Sequence, residues 1–259
     1  MASQLFAGKK RKFDMLGWRQ FMVSPRGTIV YAATKTGVKG MDSVADIKAL
    51  KGKVLRYGAK TPTSSELRII LAFELLGMNV ETVFGLARGA ARKAIQRGEL
   101  QVSHDSSNSY LRKVRKLEKK GIVKPLFTLG YPEGGKIARD PVFPNILTVA
   151  EVYEKMNGKA PSGPNWRALE AFIAMSVTAS KGFALPKGTP DDIYNAYVKA
   201  AKMSVKDKEF KKRAKKILGK YPQVFGKEAN DAVTAAVGFP PEVQKWLKAY
   251  IKTKFNVKL

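Results

Sequence analysis

Two short stretches carry residue types and spacings suited to gripping an anion. In Tyr57-Gly58-Ala59-Lys60-Thr61-Pro62-Thr63-Ser64-Ser65 a β-rich run ends in a turn dense with hydroxyls, and an apolar helical run follows. Free backbone N–H groups at a helix start, joined by the Thr63, Ser64 and Ser65 hydroxyls, would converge on one spot fit for a carboxylate or phosphate. In Phe84-Gly85-Leu86-Ala87-Arg88-Gly89 a second strand-to-helix turn offers Gly85 and Gly89, which let backbone approach a ligand. Its Arg88 presents a planar fork that matches a carboxylate with two N–H groups. Ordinary capping and tight turning account for the same residues.

Other chemistry is sparse. His104 is the single histidine and cysteine is absent, so a zinc site or a histidine-based triad has no second nitrogen or sulfur ligand to draw on. Neither GxxxxGK[ST] nor GxGxxG occurs, which excludes the common nucleotide-binding loops. Asp191 and Asp192 sit in the first turn of a predicted helix, where carboxylates complement the helix dipole. His104 and Asp105 follow a predicted strand end, where α/β folds place ligand contacts; an ordinary hydrogen-bonded histidine fits there too. No catalytic residue, metal site or cofactor is therefore expected.

Charge points elsewhere. Forty-eight lysines and arginines against 21 acidic residues give a net charge of +27 on 259 residues, where a magnitude of about 2 to 8 keeps a small domain soluble. Such a one-signed field repels itself and suits a polyanion partner, although a lysine-rich solvated surface has the same composition. On helical spacing Arg112, Arg115, Lys116, Lys119 and Lys120 share much of one face, with Tyr110 nearby to stack on a base. Lys211, Lys212 and Lys215 repeat the pattern near the C-terminus. These eight cations are the candidate contacts for nucleic acid or another polyanion.

The elements that must position these groups are legible as alternating patterns. Composition is globular, with 44% apolar and 10% aromatic residues, and no apolar run is long enough to span a membrane. Strands are predicted at 28–33, 54–58, 80–84, 100–103, 124–128 and 182–185. Helices are predicted at 43–50 with Ser43 as N-cap, and at 63–76, 87–97, 107–119, 148–156, 165–176 and 190–203. Residues 130–144, rich in proline and glycine, are predicted as an ordered loop, and the rest as a helical tail at 206–218, 227–237 and 241–253. Strand leads to helix and helix to strand, which predicts an α/β fold with a doubly wound sheet.

The order of the segments carries a resemblance. YGAKTPTSSELRIILAFELLG, VFGLARGAARKAIQRGELQVSHDS, DPVFPNILTVAEVY and ALPKGTPDDIYNAYVKA succeed one another as in the substrate-binding receptors of tripartite tricarboxylate transporters. The resemblance spans about residues 13–253. It implies a two-lobed, periplasmic-binding-protein-like fold of type II, the Venus flytrap, with one lobe at 58–180 and the other at 1–57 plus 181–259. It also implies a non-enzymatic receptor for a small carboxylate held by Thr63, Ser64, Ser65, Gly85, Arg88, Gly89 and Asp105, delivering it to membrane permease subunits from the periplasm.

The departures matter as much. Family members open with a strand, a Pro-Gly-Gly-rich loop and a long helix, and nothing in residues 1–25 resembles these, so the first lobe is expected to be incomplete. Residues 1–14 hold a basic cluster, Lys9, Lys10, Arg11 and Lys12, without an apolar stretch of signal-peptide length. Gln101 stands where the family usually has aspartate, and Arg68 where a small or polar residue is common. The alternative expectation is therefore a shortened receptor fold, recruited or charge-engineered as a polyanion-binding or structural component, in the cytoplasm or within a nucleoprotein assembly.

Overall fold

A computed structural model describes residue 6, residues 17–133 and residues 136–257 of the chain, with the side chains of Lys215 and Lys216 outside that description. The basic cluster at Lys9 to Lys12 also lies outside the described residues.

The run TIVYAA forms β2 (Thr28–Ala33), all six residues buried. A strand buried on both faces must lie inside a sheet, and β2 sits between β5 (Val102–Ser106) and β6 (Val123–Thr128) in a sheet that continues through β3 (Leu55–Gly58) to β4 (Val80–Val83) in the order β4-β3-β5-β2-β6. Alternate side chains of β2 enter two cores: Val30 and Ala32 join the large one, Ile29 and Tyr31 the smaller one on the opposite face. β3 runs parallel to β4 and β5, whereas β2 is antiparallel to both of its neighbours. The sheet is thus mixed in strand direction, with helices on both faces, as an α/β fold requires. Because β2 pairs with β5 and β6, residues 28–57 pack with the lobe expected at 58–180 and not with the other.

Helix signals place the rest. Asp42, one residue ahead of the predicted cap, accepts from the Val44 and Ala45 N–H groups at 2.8 and 3.2 Å and starts α1 (Ser43–Leu50). α2 (Leu67–Leu75) starts four residues later than predicted, because Thr63 to Glu66 form turns. α3 (Arg88–Arg97) closes on the left-handed Gly98. The predicted helix after β5 is interrupted: Ser107–Ser109 and Arg115–Lys119 flank a π turn at Tyr110–Val114, and the three pieces form α4. The expected loop contains a hairpin, β7 (Tyr131–Glu133) and β8 (Lys136–Ala138). Thr148 and Glu151 cap α5 (Val149–Asn157) reciprocally, and α6 (Gly163–Thr178) places Leu169, Phe172 and Ile173 in the large core.

The remaining elements build a smaller antiparallel sheet in the order β10-β1-β9. It comprises β1 (Arg19–Ser24), β9 (Lys181–Leu185) and β10 (Val224–Phe225), and neither β1 nor β10 was expected from the sequence pattern. α7 (Asp191–Ser204) and α8 (Lys208–Ile217) follow β9. α9 (Gly226–Val237) and α10 (Pro241–Phe255) turn back so that Val233, Phe239 and Leu247 complete the large core. The small sheet and its helices α7 and α8 stand beside the large sheet as the second part of the fold.

The link between the sheets is held by Asp140, which is fully buried. Its carboxylate accepts from Ser107 Oγ at 2.5 Å, the Tyr221 hydroxyl at 2.6 Å and the Val142 N–H at 2.8 Å. Gly27 passes so close that a Cβ there would overlap the Asp140 carboxylate and the Tyr221 hydroxyl. Gly27→Ala is expected to destabilise the protein by about 1–3 kcal/mol, the usual range for overpacking a filled site; chemical denaturation checks this, and an unchanged midpoint would refute the clamp.

Candidate functional site

The carboxyl ends of β3 and β5 and the start of β2 meet at one edge of the large sheet, with Thr28 opposite Ser106 and Ile29 opposite Asp105. Ligands of open α/β sheets bind at this end of the strands. The hydroxyl turn arrives here, but not as a helix start. Ser64 Oγ donates to the Thr61 carbonyl at 2.6 Å, which commits that hydroxyl to its own turn. Ser65 is exposed, its carbonyl accepting from Arg68 Nη1 at 2.7 Å, and Thr63 is half-buried.

Two residues expected to grip a ligand are instead engaged inside the protein. Arg88 donates through Nη2 to the Gly58 carbonyl, and its Nη1 lies 3.0 Å from His104 Nδ1 and 3.2 Å from the His104 carbonyl. Its Nε is 3.6 Å from Glu66 Oε1. Asp105 is buried, accepting from Arg92 Nη1 at 2.5 Å and from the Tyr31 hydroxyl at 3.0 Å. Burial raises its pKa against the pull of Arg92. Asp105 therefore has no free face for a ligand, and the fork of Arg88 is closed by protein partners. Around Gly85 and Gly89 there is open space; Gly85 needs to be glycine for its φ of 91°, and neither is pressed by a neighbour.

His104 lies within β5 and not beyond a strand end, with its ring buried beside Tyr57. Burial, and then Arg88, Arg68 and Arg92, hold its pKa well below the ordinary value. A neutral ring facing an arginine N–H must leave Nδ1 unprotonated, so the Tyr57 hydroxyl donates to it at 2.7 Å and the ring proton resides on Nε2. Burial pushes the Tyr57 hydroxyl up, so it keeps its proton.

Just outside this network lie the groups that site prediction missed. Arg68 extends toward Thr28, with Nη2 3.4 Å from the threonine hydroxyl, and its buried Nε has no partner. Burial lowers its pKa to about 10, and only Tyr57 and Glu66 oppose that shift. Arg26 is likewise lowered, first by burial, and it feels Arg112. The four guanidiniums of Arg26, Arg68, Arg88 and Arg92 meet the carboxylates of Glu66 and Asp105 here, an excess of positive charge. The sequence signal was an arginine one residue into an otherwise apolar helix, LRIILAF.

The candidate polyanion contacts are on the surface. Arg112, Arg115, Lys116, Lys119 and Lys120 are all exposed, and the Arg115–Glu118 pair at 3.9 Å is loose. Lys211 and Lys212 are exposed on α8, which Asn108 ties to α4 through a 2.8 Å bond to the Ile217 carbonyl; the Lys215 side chain lies outside the described residues. Among the described residues no group of three or more His, Asp or Glu could hold a metal, and no helix is long and apolar enough to cross a membrane.

No family model and no curated protein matches the sequence. Solved structures do match the fold. A TctC solute binding protein from Polaromonas superimposes with a TM-score of 0.59 at 14% identity, over 94% of this chain and 72% of that one. A periplasmic transporter structure gives 0.59 at 16% identity, over 99% and 75%. MatC from Rhodopseudomonas palustris with bound malate gives 0.53 at 17% identity, over 97% and 74%. The chain has the α/β fold of periplasmic binding proteins.

The buried neutral His104 sets a direction for pH dependence. Because its folded pKa is depressed, the unfolded chain takes up a proton near pH 6.5 that the folded one refuses, so stability is full above that pH and falls below it. The melting temperature is expected to drop between pH 7.5 and 5.5 and to drop less in His104→Gln; parallel pH profiles would refute this role.

Proposed function

We propose that this protein is a non-enzymatic receptor for a small dicarboxylate, bound at the carboxyl edge of the large sheet. The observation that carries the reading is Arg68: a half-buried arginine at a sheet edge whose enclosed Nε has no partner and whose pKa is lowered by burial, in a cluster with more guanidiniums than carboxylates. Such a group is stabilised by an anion that desolvates with it, and a carboxylate fits its fork. Arg26 and Thr28 would hold the second carboxylate, with Thr63, Ser65 and the backbone at Gly85 and Gly89 flanking. Arg88 and Asp105 act one layer below, holding the strand ends in place. The malate-bound neighbour and a second Rhodopseudomonas palustris protein solved with adipate, TM-score 0.51 at 14% identity, support the ligand class through a shared fold. In this reading the receptor works in the periplasm and delivers its ligand to the permease subunits of a tripartite transporter.

A thermal-shift screen of malate, adipate and citrate tests the site. At least one should raise the melting temperature by several degrees, and Arg68→Gln should weaken its binding by about 10-fold or more, the value of a charge-assisted hydrogen bond. No shift with any of the three would overturn the reading.

A second reading rests on the exposed, largely unpaired cations of α4 and α8, joined at Asn108. These would bind a polyanion such as RNA or DNA within a nucleoprotein assembly. Affinity for a duplex should then fall steeply between about 50 and 200 mM salt. Replacing Arg112, Arg115, Lys116, Lys119 and Lys120 by glutamine should flatten the log–log salt slope by roughly 0.9 for each phosphate that is no longer neutralised. An unchanged slope would show that this helix does not face the polyanion.

A further inference from the structure

Away from that edge, the small sheet and the helices that follow it enclose a groove that the reading above leaves without a role. Its volume is about 900 Å³, within the range of small-molecule sites. The floor is aromatic: the Phe21 and Phe183 rings stack at 6.0 Å, and Tyr197 leans on Phe21 at 5.3 Å. The walls are small, because Ala200 on α7 and Ala214 on α8 face the space and leave it open. Phe183 is 62% exposed, Ile217 is 52% exposed, and α7 buries none of its fourteen residues. Among the described residues nothing covers this apolar face of α7, and a helix so placed gains little from folding unless the face is covered.

The charge on the groove selects what covers it. Two charged side chains line it, Lys181 and Arg213, and both are positive. Glu209, the nearest partner of Arg213 at 2.6 Å, is an exposed residue on the outer surface of α8 and a screened one. Lys181 pairs with Ser24 at one end of the sheet, and Ile217, one turn beyond Arg213, reaches the same end beside Arg26. Lys181 thus stands at that end of the apolar slot, and Arg213 one helical turn from it. A second copy of this chain is a poor cover, since each carries a net charge of +27.

We propose that this groove binds one long-chain fatty carboxylate, with its head group at Lys181 and Arg213 and its hydrocarbon chain along Phe21 and Phe183 between the two helices. The groove's lining shares no residue with the sheet-edge site, and its occupant differs in having a long apolar tail. Burying the chain supplies the affinity in proportion to the apolar area covered, and the two cations select a single negative head.

Isothermal titration with dodecanoate, below the concentration at which it forms micelles, tests the proposal on the full chain. Dodecanol and dodecyltrimethylammonium serve as chain-matched neutral and cationic probes. One dodecanoate should bind per chain, at least 10-fold more tightly than either comparator. Ala200→Trp, an exposed position that leaves the fold undisturbed, should abolish the binding by filling the slot. The double change Lys181→Gln and Arg213→Gln should reduce dodecanoate to the level of dodecanol, while excess malate should leave dodecanoate binding unchanged whether or not malate binds elsewhere. Equal binding of all three amphiphiles, binding that survives Ala200→Trp, or attachment only to anionic phosphatidylglycerol vesicles would each overturn it.

Discussion

Asp140 is the fully buried carboxylate on which segments leading into both sheets converge. The connection between β1 and β2, the start of α4 and the segment around Tyr221 come from distant parts of the sequence, and all three close on that one side chain. A buried carboxylate is expensive unless its lone pairs are filled, and here two hydroxyls and a backbone N–H fill them. Burial raises the pKa of Asp140 and these bonds lower it, so the group is held between the two tendencies. Gly27 is the steric counterpart of the same constraint. With the clamp closed, the start of β2 is fixed against Ser106, and the sheet edge that carries Arg68 and Thr28 acquires its shape.

At that edge the chain uses charge in two ways that composition alone merges. One set of arginines is inward: Arg88 and Arg92 are bound to Gly58, His104 and Asp105 and hold strand ends together. Burial first, and then their positive charge, depresses His104 and keeps the ring neutral, so a residue with the chemistry of a base becomes a hydrogen-bond acceptor in a core. Another set is outward, on α4 and α8, solvated and loosely paired. Arg68 lies between the two sets, half-buried at the sheet edge with Nη2 3.4 Å from the Thr28 hydroxyl. A net charge of +27 is therefore the sum of cations engaged inside the fold and cations spread over its surface.

The smaller sheet presents the opposite imbalance. Its helices carry apolar stripes without a layer to bury them against, while α9 and α10, of similar amphipathic pattern, are packed onto α6 and into the large core. α9 packs on β1 and α6 together, whereas α7 packs on the small sheet alone, so one helix pair completes a core and the other borders a groove.

Local patterns sufficed for the elements. The fully apolar TIVYAA, the Thr148–Glu151 capping box and the glycine after α3 each specify their element through interactions within a few residues, and the strand-then-helix order sufficed for an α/β fold. Strand direction did not follow from that order, because a short connection from β1 sends β2 into the sheet against its neighbours, and only pairing with β5 and β6 reveals it. β1 and β10 were illegible because their pairing partners lie at the far end of the chain from one another. The site was half legible for the same reason. The hydroxyl turn and Arg88 were visible as residue types near strand ends, but whether a guanidinium is satisfied depends on what surrounds it in space. The tertiary structure turned Arg88 onto Gly58 and His104, closed Asp105 onto Arg92, and set Arg68 beside Thr28 and Ser65, and no spacing along the chain encodes those partners.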